Sequence, residues 1–185
     1  MIEGDALALD PAALVAAPRK IVANLPYNIA TPLLIRWLGR IAEYESLTLL
    51  FQKEVAQRLT ARPRSHDYGR LTIVTQWLTE ARALFDIPGS AFVPPPKVTS
   101  TLVQVTPRAA PLAECRFADL ERITAAAFGQ RRKMLRASLR TLGDADALLA
   151  AAGVTPTARA EELAVEEFCA LARALAARLA STHRV

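Results

Sequence analysis

The stretch IVANLPYNIATPLL, residues 21–34, decides how the chain is read. An apolar run at 21–23 stops at Asn24-Leu25-Pro26-Tyr27 and resumes in helical spacing. Strand, sharp turn and helix in that order belong to an α/β sheet, where ligands sit beyond the carboxyl ends of the strands. Asn24 offers an acceptor and donors on a short arm. Leu25 precedes proline and is therefore extended, so its carbonyl can project from the turn. Pro26 lacks an N–H and fixes φ, and Tyr27 presents a flat face for stacking. Two acceptors beside an aromatic platform fit a planar ring bearing an exocyclic amine, such as adenine. The alternative is a plain strand-to-helix turn, with Pro26 as punctuation and Tyr27 as core filler.

Working outward, strands are expected at 1–3, 21–23, 47–51, 82–87 and 101–106, with helices at 31–38, 52–60 and 71–78. Short apolar strands alternating with helices predict an α/β fold with a mostly parallel, doubly wound sheet. Only PGSAFVPPPKVTS (88–100) separates the last two strands, which predicts an antiparallel pair at the edge. Past the linker TPRAAPLAEC (106–115) the composition turns to alanine and leucine. Periodicity there places helices at 120–141, 145–152 and 165–180. The expected organisation is a sheet domain over 1–110 and a small all-α domain over 111–185.

The chain has 185 residues, 52% of them hydrophobic, and a formal charge of +5. It contains no apolar run of membrane-spanning length, and Met1-Ile2-Glu3-Gly4-Asp5 is not a signal-peptide start. The two cysteines, Cys115 and Cys169, have no metal-ligand spacing, so no metal is expected and a reducing cytoplasm is the natural compartment. Positive charge is concentrated. Residues 121–140 hold Arg122, Arg131, Arg132, Lys133, Arg136 and Arg140 against Glu121 alone. On one helical wheel Arg132, Lys133, Arg136 and Arg140 share a stripe, with Arg131 on the opposite flank. An ordinary solvated face usually mixes signs; a stripe free of acids favours tracking a polyanion. VPPPKV (93–98) reads either as a polyproline ligand or as a stiff wall, and its place inside a folded domain favours the wall. His66 and His183 are assigned no chemistry. Ser65, Lys53 and Arg70 could sit near a bound RNA, but lone polar residues near a site are more often structural.

With these residues in view, NLPYNIATPLL (24–34) resembles the fourth motif of the KsgA/RsmA family of small-subunit rRNA adenine dimethyltransferases. FQKEVAQRL (51–59), YGRLTIVTQ (68–76), AFVPPPKVTSTLV (91–103), FGQRRKMLRASL (128–139) and ARAEELAVEEF (158–168) resemble the same family in the same order. The resemblance implies a Rossmann-like class I methyltransferase sheet, S-adenosyl-L-methionine as methyl donor, and small-subunit rRNA as substrate. It implies two methylations of N6 on each of two adjacent adenosines in a hairpin loop near the rRNA 3′ end, in a monomer with a role in ribosome biogenesis. By that analogy Asn24 and the Leu25 carbonyl hold the N6 hydrogens, Pro26 shapes the turn, Tyr27 stacks on the base and Phe92 supports it. EGDAL (3–7) resembles the cofactor segment, so Gly4, Asp5, Ala6 and Asn24 are expected against the cofactor, with Asp5 on its adenine amine. Arg131, Arg132, Lys133, Arg136 and Arg140 are expected against RNA phosphates.

The family's glycine-rich cofactor loop has no counterpart here, because no two of the seven glycines are near neighbours. The expectation is therefore a family member without its N-terminal segment, with apolar sheet surface bare and little activity alone. Two other readings stay open: a non-catalytic small-subunit assembly factor, and a large-subunit rRNA adenine methylase of the resistance type.

Overall fold

The computed structural model describes residues 2–182, so His183 and Met1 of the predicted first strand lie outside the described residues. The chain divides into two compact units, Met1–Thr60 with Leu78–Ala109, and Ala61–Trp77 with Ala110–Val185.

The first unit is built on a four-stranded sheet, with β1 Lys20–Asn24, β2 Ser46–Gln52, β3 Thr79–Ile87 and β4 Ser100–Pro107 in the order β1-β2-β4-β3. β1 and β2 run parallel, with Asn24 opposite Leu50, whereas β4 is antiparallel to both β2 and β3. The expected antiparallel pair of last strands is present. The expected mostly parallel sheet is not: one pairing of the three is parallel among the described strands. The short 88–100 connection, which holds no helix long enough for a crossover, returns β4 antiparallel beside β3, and β4 also pairs antiparallel with β2. The predicted strand at 1–3 is also absent, since Ile2 and Glu3 lie in irregular chain.

β2 sits inside the sheet, and Leu47, Leu49, Leu50 and Phe51 are all buried. Each such side chain contributes about 1.5–3 kcal/mol by leaving water. Helix α1 (Pro11–Leu14) is a single turn; α2 (Tyr27–Leu38) buries Leu33, Leu34, Trp37 and Leu38, a stripe at helical spacing, and packs on β2. It begins at Tyr27 rather than at residue 31, because Pro26 sits at φ −53° and its carbonyl accepts the N–H groups of both Ile29 and Ala30 at 3.1 Å. Helix α3 (Lys53–Thr60) covers β2, β3 and β4. Among the described residues β1 pairs on one side only, and Val22 on it is 78% exposed, with Ile2, Leu14 and Val15 also exposed.

The second unit contains α4 (Arg70–Leu78, all but its last residue), α5 (Phe117–Gly129), α6 (Leu135–Ser138), α7 (Ala145–Ala152) and α8 (Val165–Thr182). Its core combines Leu120, Ile123 and Ala127 of α5, Leu148 and Leu149 of α7, and Phe168, Leu171, Ala172 and Leu175 of α8. The expected single boundary near residue 110 therefore needs amendment, since residues 61–77 belong with the helices. Tyr68 is fully buried, donates to the Leu163 carbonyl at 2.8 Å and meets the Phe128 ring edge-on at 6.4 Å. Phe128 stacks on Phe168 at 5.6 Å. Trp77 donates from Nε1 to the Ala113 carbonyl at 2.7 Å and lies 6.1 Å from the Phe117 ring.

The predicted helix over 120–141 is broken. α5 ends at Gly129, Gln130 leaves the helical region at φ −131° and ψ 65°, and α6 followed by a 3-10 turn (Leu139–Leu142) resumes after residue 134. The chain between is drawn off by other partners. Met134 bridges Arg159, and the Leu135 N–H donates to the Ala158 carbonyl at 2.8 Å.

Candidate active site

Asn24 is the last residue of β1 and is exposed; Leu25 is half-buried and Pro26 exposed. Tyr27 opens α2 with its ring half-buried, and its Oη lies 2.7 Å from Oγ of Ser100. Ser100 is fully buried at the start of β4. That bond fixes the far end of the half-buried tyrosine ring. Ser100 went unassigned in the sequence, although it closes the VPPPKVTS stretch; a small hydroxyl at a strand start was the available signal.

The stretch after β3 turns tightly. A 3-10 turn over Gly89–Ala91 delivers Phe92, half-buried and extended at φ −118°, and then Val93, wholly exposed, before Pro94, Pro95 and Pro96. A Cβ at Gly89 would overlap the Pro96 carbonyl oxygen, which is main chain and cannot swing aside. The turn is thus closed on itself around a glycine. Gly89→Ala is expected to cost about 1–3 kcal/mol through overpacking, measured as a lower urea midpoint with unchanged slope.

Beside Ser100 lies a polar clamp. Lys53 Nζ sits 2.6 Å from Asp86 Oδ2, Thr101 Oγ1 donates to Asp86 Oδ1 at 2.6 Å, and the Lys53 N–H donates to the Thr99 carbonyl at 2.9 Å. It ties the start of α3 to the end of β3 and the start of β4. The hydrogen bond from Lys53, and then that from Thr101, hold the Asp86 carboxyl below its ordinary value of 3.8. A depressed carboxyl stabilises the fold above its unfolded pKa and loses that contribution as pH falls through the lower folded value. Acid unfolding of Asp86→Asn is accordingly expected to be less steep below pH 3.8 than that of the parent. Titration of the Asp86 carboxyl carbon by NMR checks the cause directly.

Asp5 lies in a short turn. Its Oδ1 accepts the Leu7 N–H at 2.9 Å, and its carbonyl accepts the N–H groups of Ala8 and Leu9. Gly4 is exposed and Ala6 half-buried. The Arg36 guanidinium, on α2, meets the Leu7 carbonyl, and Arg40, just past the end of α2, pairs with Asp10 at 2.8 Å.

The basic residues are not one helical stripe. Arg131, Arg132 and Lys133 stand in the 130–134 turn, Arg136 on α6 and Arg140 on the 3-10 turn, all exposed. Arg131 is engaged with Glu161 at 3.2 Å and with the Ser65 and His66 carbonyls, so it braces the 61–77 segment. The other four make no ion pair among the described residues. Ser65 donates to the Arg62 carbonyl, Arg70 pairs with Glu121 at 3.2 Å, and Lys53 belongs to the clamp with Asp86. His66 is exposed beside Asp67. Among the described residues no helix is long and apolar enough to cross a membrane.

A family model described as ribosomal RNA adenine dimethylase matches residues 1–177. A ribosomal RNA small subunit methyltransferase A of Rhodospirillum rubrum is 64% identical over 174 residues, 94% of this chain and 60% of its own length. Its counterpart in Paramagnetospirillum magneticum is 59% identical over 184 residues, 100% of this chain and 66% of its own length. The chain thus spans about two thirds or less of these relatives. A dimethyladenosine transferase from Plasmodium falciparum superposes with TM-score 0.75 at 23% identity, covering 92% of this chain and 70% of that one, a likeness of fold. The 23S rRNA methyltransferase ErmE superposes with TM-score 0.63 at 28% identity, covering 95% and 71%.

Proposed function

Because the chain belongs to the ribosomal RNA adenine dimethylase family, we propose that it carries the target-base corner of an rRNA adenine-N6 dimethyltransferase. The proposed substrate is a pair of adjacent adenosines in a 3′-terminal hairpin loop of small-subunit rRNA, each methylated twice. The proposed enzyme acts as a monomer in the cytoplasm, on the small ribosomal particle. The observation that carries the reading is the Tyr27–Ser100 bond of 2.7 Å, which fixes an aromatic ring three residues after an exposed carboxamide at a strand end.

The residues present fit part of S-adenosyl-L-methionine. Asp5 commits one carboxylate oxygen to the Leu7 N–H, and its other oxygen is an acceptor suited to the cofactor's adenine amine, flanked by Gly4 and Ala6. Exposed Asn24 would border the same cofactor. When bound, the cofactor supplies an electrophilic methyl group.

The chain's own groups act on the amine. In free adenine the N6 lone pair is delocalised into the ring and is a poor nucleophile. The Asn24 side-chain oxygen and the Leu25 carbonyl would accept the two N6 hydrogens and favour a pyramidal nitrogen, turning its lone pair out of the ring plane. Both groups are neutral and weakly basic, so the rate gain lies in positioning and electrostatics, and the released proton goes to water. Tyr27 would stack on the base, and Phe92 with the proline wall would limit its motion. A base in a duplex is out of reach, so the target must be looped or flipped. Arg132, Lys133, Arg136 and Arg140 would grip phosphates without reading sequence, while Arg131 would mainly brace the turn that presents them.

The test is a replacement chimera, in which this chain takes the place of the matched region of the Rhodospirillum rubrum relative. Methylation of undermethylated small subunits, read by primer extension through the 3′ loop, is the expected result. A stop in the large-subunit rRNA instead would move the reading to the resistance-type methylases.

A further inference from the structure

The turn at 62–66 places a second group of cations beside the basic turn at 130–134. Its sequence, Arg62-Pro63-Arg64-Ser65-His66, holds no acid. The Ser65 N–H and hydroxyl both donate to the Arg62 carbonyl, at 3.1 and 2.7 Å, and the Tyr68 N–H donates to the Ser65 carbonyl at 3.3 Å. The Arg64 N–H donates to the Glu161 carbonyl at 2.7 Å. Arg131 joins the two turns, pairing with the Glu161 carboxylate at 3.2 Å and donating to the Ser65 and His66 carbonyls. The backbone is thus held from several sides, while Arg62 and Arg64 are exposed and make no ion pair among the described residues.

Arg64 stands at φ 69°, the one non-glycine in the left-handed region among the described residues. An L side chain is strained there and glycine is not. An arginine where glycine would fit better calls for a task for its side chain. The acids nearby give it none. Glu162 and Glu167, which border the same cleft as Arg64, accept the Arg159 and Ala164 N–H groups at 2.9 and 2.8 Å instead.

We propose that Arg62 and Arg64 continue the basic turn into one phosphate-binding edge for RNA, with Arg131 and Glu161 as its internal strut. The inference deepens the proposed function and rests on it. Arg131 spends its charge inside the protein, so Arg62 and Arg64 on one side of the strut and Arg132 and Lys133 on the other carry the edge. Turns already locked by hydrogen bonds lose little freedom when the backbone of a nucleic acid settles on them. Such contacts fix the register and orientation of the RNA and read none of its bases.

The chain is titrated with a fluorescent RNA hairpin carrying the small-subunit 3′ loop, over a range of salt concentrations. Each lost phosphate contact lowers the slope of log affinity against log salt by about 0.7–0.9, which is about fivefold in affinity near ~0.1 M salt. Arg64→Gly should show that loss with a urea midpoint no lower than the parent's, because the backbone strain leaves with the side chain. Arg64→Lys keeps the charge and should keep the parent's slope. Should Arg64→Gly fold poorly, Arg64→Asn takes its place, since asparagine tolerates the left-handed region. Arg132→Gln calibrates the turn already assigned to RNA. If Arg132→Gln weakens binding and Arg64→Gly does not, the inference falls and the proposed function stands. If neither does, or the parent leaves the hairpin unbound, the RNA contact of the basic turn falls with it. Equal losses in Arg64→Lys and Arg64→Gly also overturn the inference, because charge is then not what binds.

Discussion

In the replacement chimera, Asn24→Ala is expected to slow methyl transfer roughly a hundred- to thousandfold, the usual loss when one aligned polar contact to a reacting group is removed. Asn24 ends β1 opposite Leu50 with its side chain exposed, so truncation should leave the sheet intact. The interaction tightens as the nitrogen pyramidalises, so kcat and kcat/KM should fall together while KM for RNA stays nearly constant. Tyr27→Phe is the informative companion. It keeps the stacking ring but loses the bond to Ser100, so its loss should be smaller and should fall more on KM. Single-turnover assays on undermethylated small subunits separate the two. If Asn24→Ala methylates within a few-fold of the parent, the carboxamide is not holding the amine.

Tyr68→Ala should have the largest effect on stability. The side chain is fully buried, its ring meets Phe128, and its hydroxyl satisfies the Leu163 carbonyl. Deleting a buried aromatic costs about 3–5 kcal/mol, against a total of about 5–15 kcal/mol for a typical domain. The helical unit should open well before the sheet does, giving two transitions in urea where Trp77 fluorescence and far-UV dichroism no longer coincide. Tyr68→Phe removes only the hydroxyl and leaves the carbonyl unpaired, at about 1–3 kcal/mol. Burial, with Glu166 and then Glu167 nearby, raises the Tyr68 pKa above its ordinary 10.0. A group raised on folding stabilises the protein fully below its unfolded pKa and loses that contribution as pH climbs toward the folded value. The parent should therefore lose stability above pH 10.0, and Tyr68→Phe should lose less.

The parts of the fold that could be read from sequence were those where one residue type dictates backbone geometry. Pro26 and the residue before it forced the turn after β1, and the leucines at 47, 49 and 50 marked a strand buried on both faces. What escaped was set by distant partners. Residues 61–77 look like one more sheet-covering segment until Tyr68 finds Leu163, 95 positions away. The helix expected over 120–141 has the right periodicity throughout, yet the Ala158 carbonyl and Arg159 claim the backbone near Met134 and bend it. The basic side chains were located correctly in sequence but mounted on the wrong element. At the candidate site, Asn24 and Tyr27 were legible by their chemistry. Ser100 was not, because its importance comes only from facing a hydroxyl 73 positions earlier.

The placing of β4 between β2 and β3 has a consequence for how the molecule comes into being. The last of the described strands to be synthesised is an interior one, so β2 has only β1 beside it and β3 has no partner until residue 107 has emerged. Long-range pairings of this kind are slow to form and leave apolar edges bare meanwhile. Since Ser100 arrives on that same strand, the Tyr27–Ser100 bond forms only when the sheet closes, and on the proposed reading the target base has no fixed platform before then.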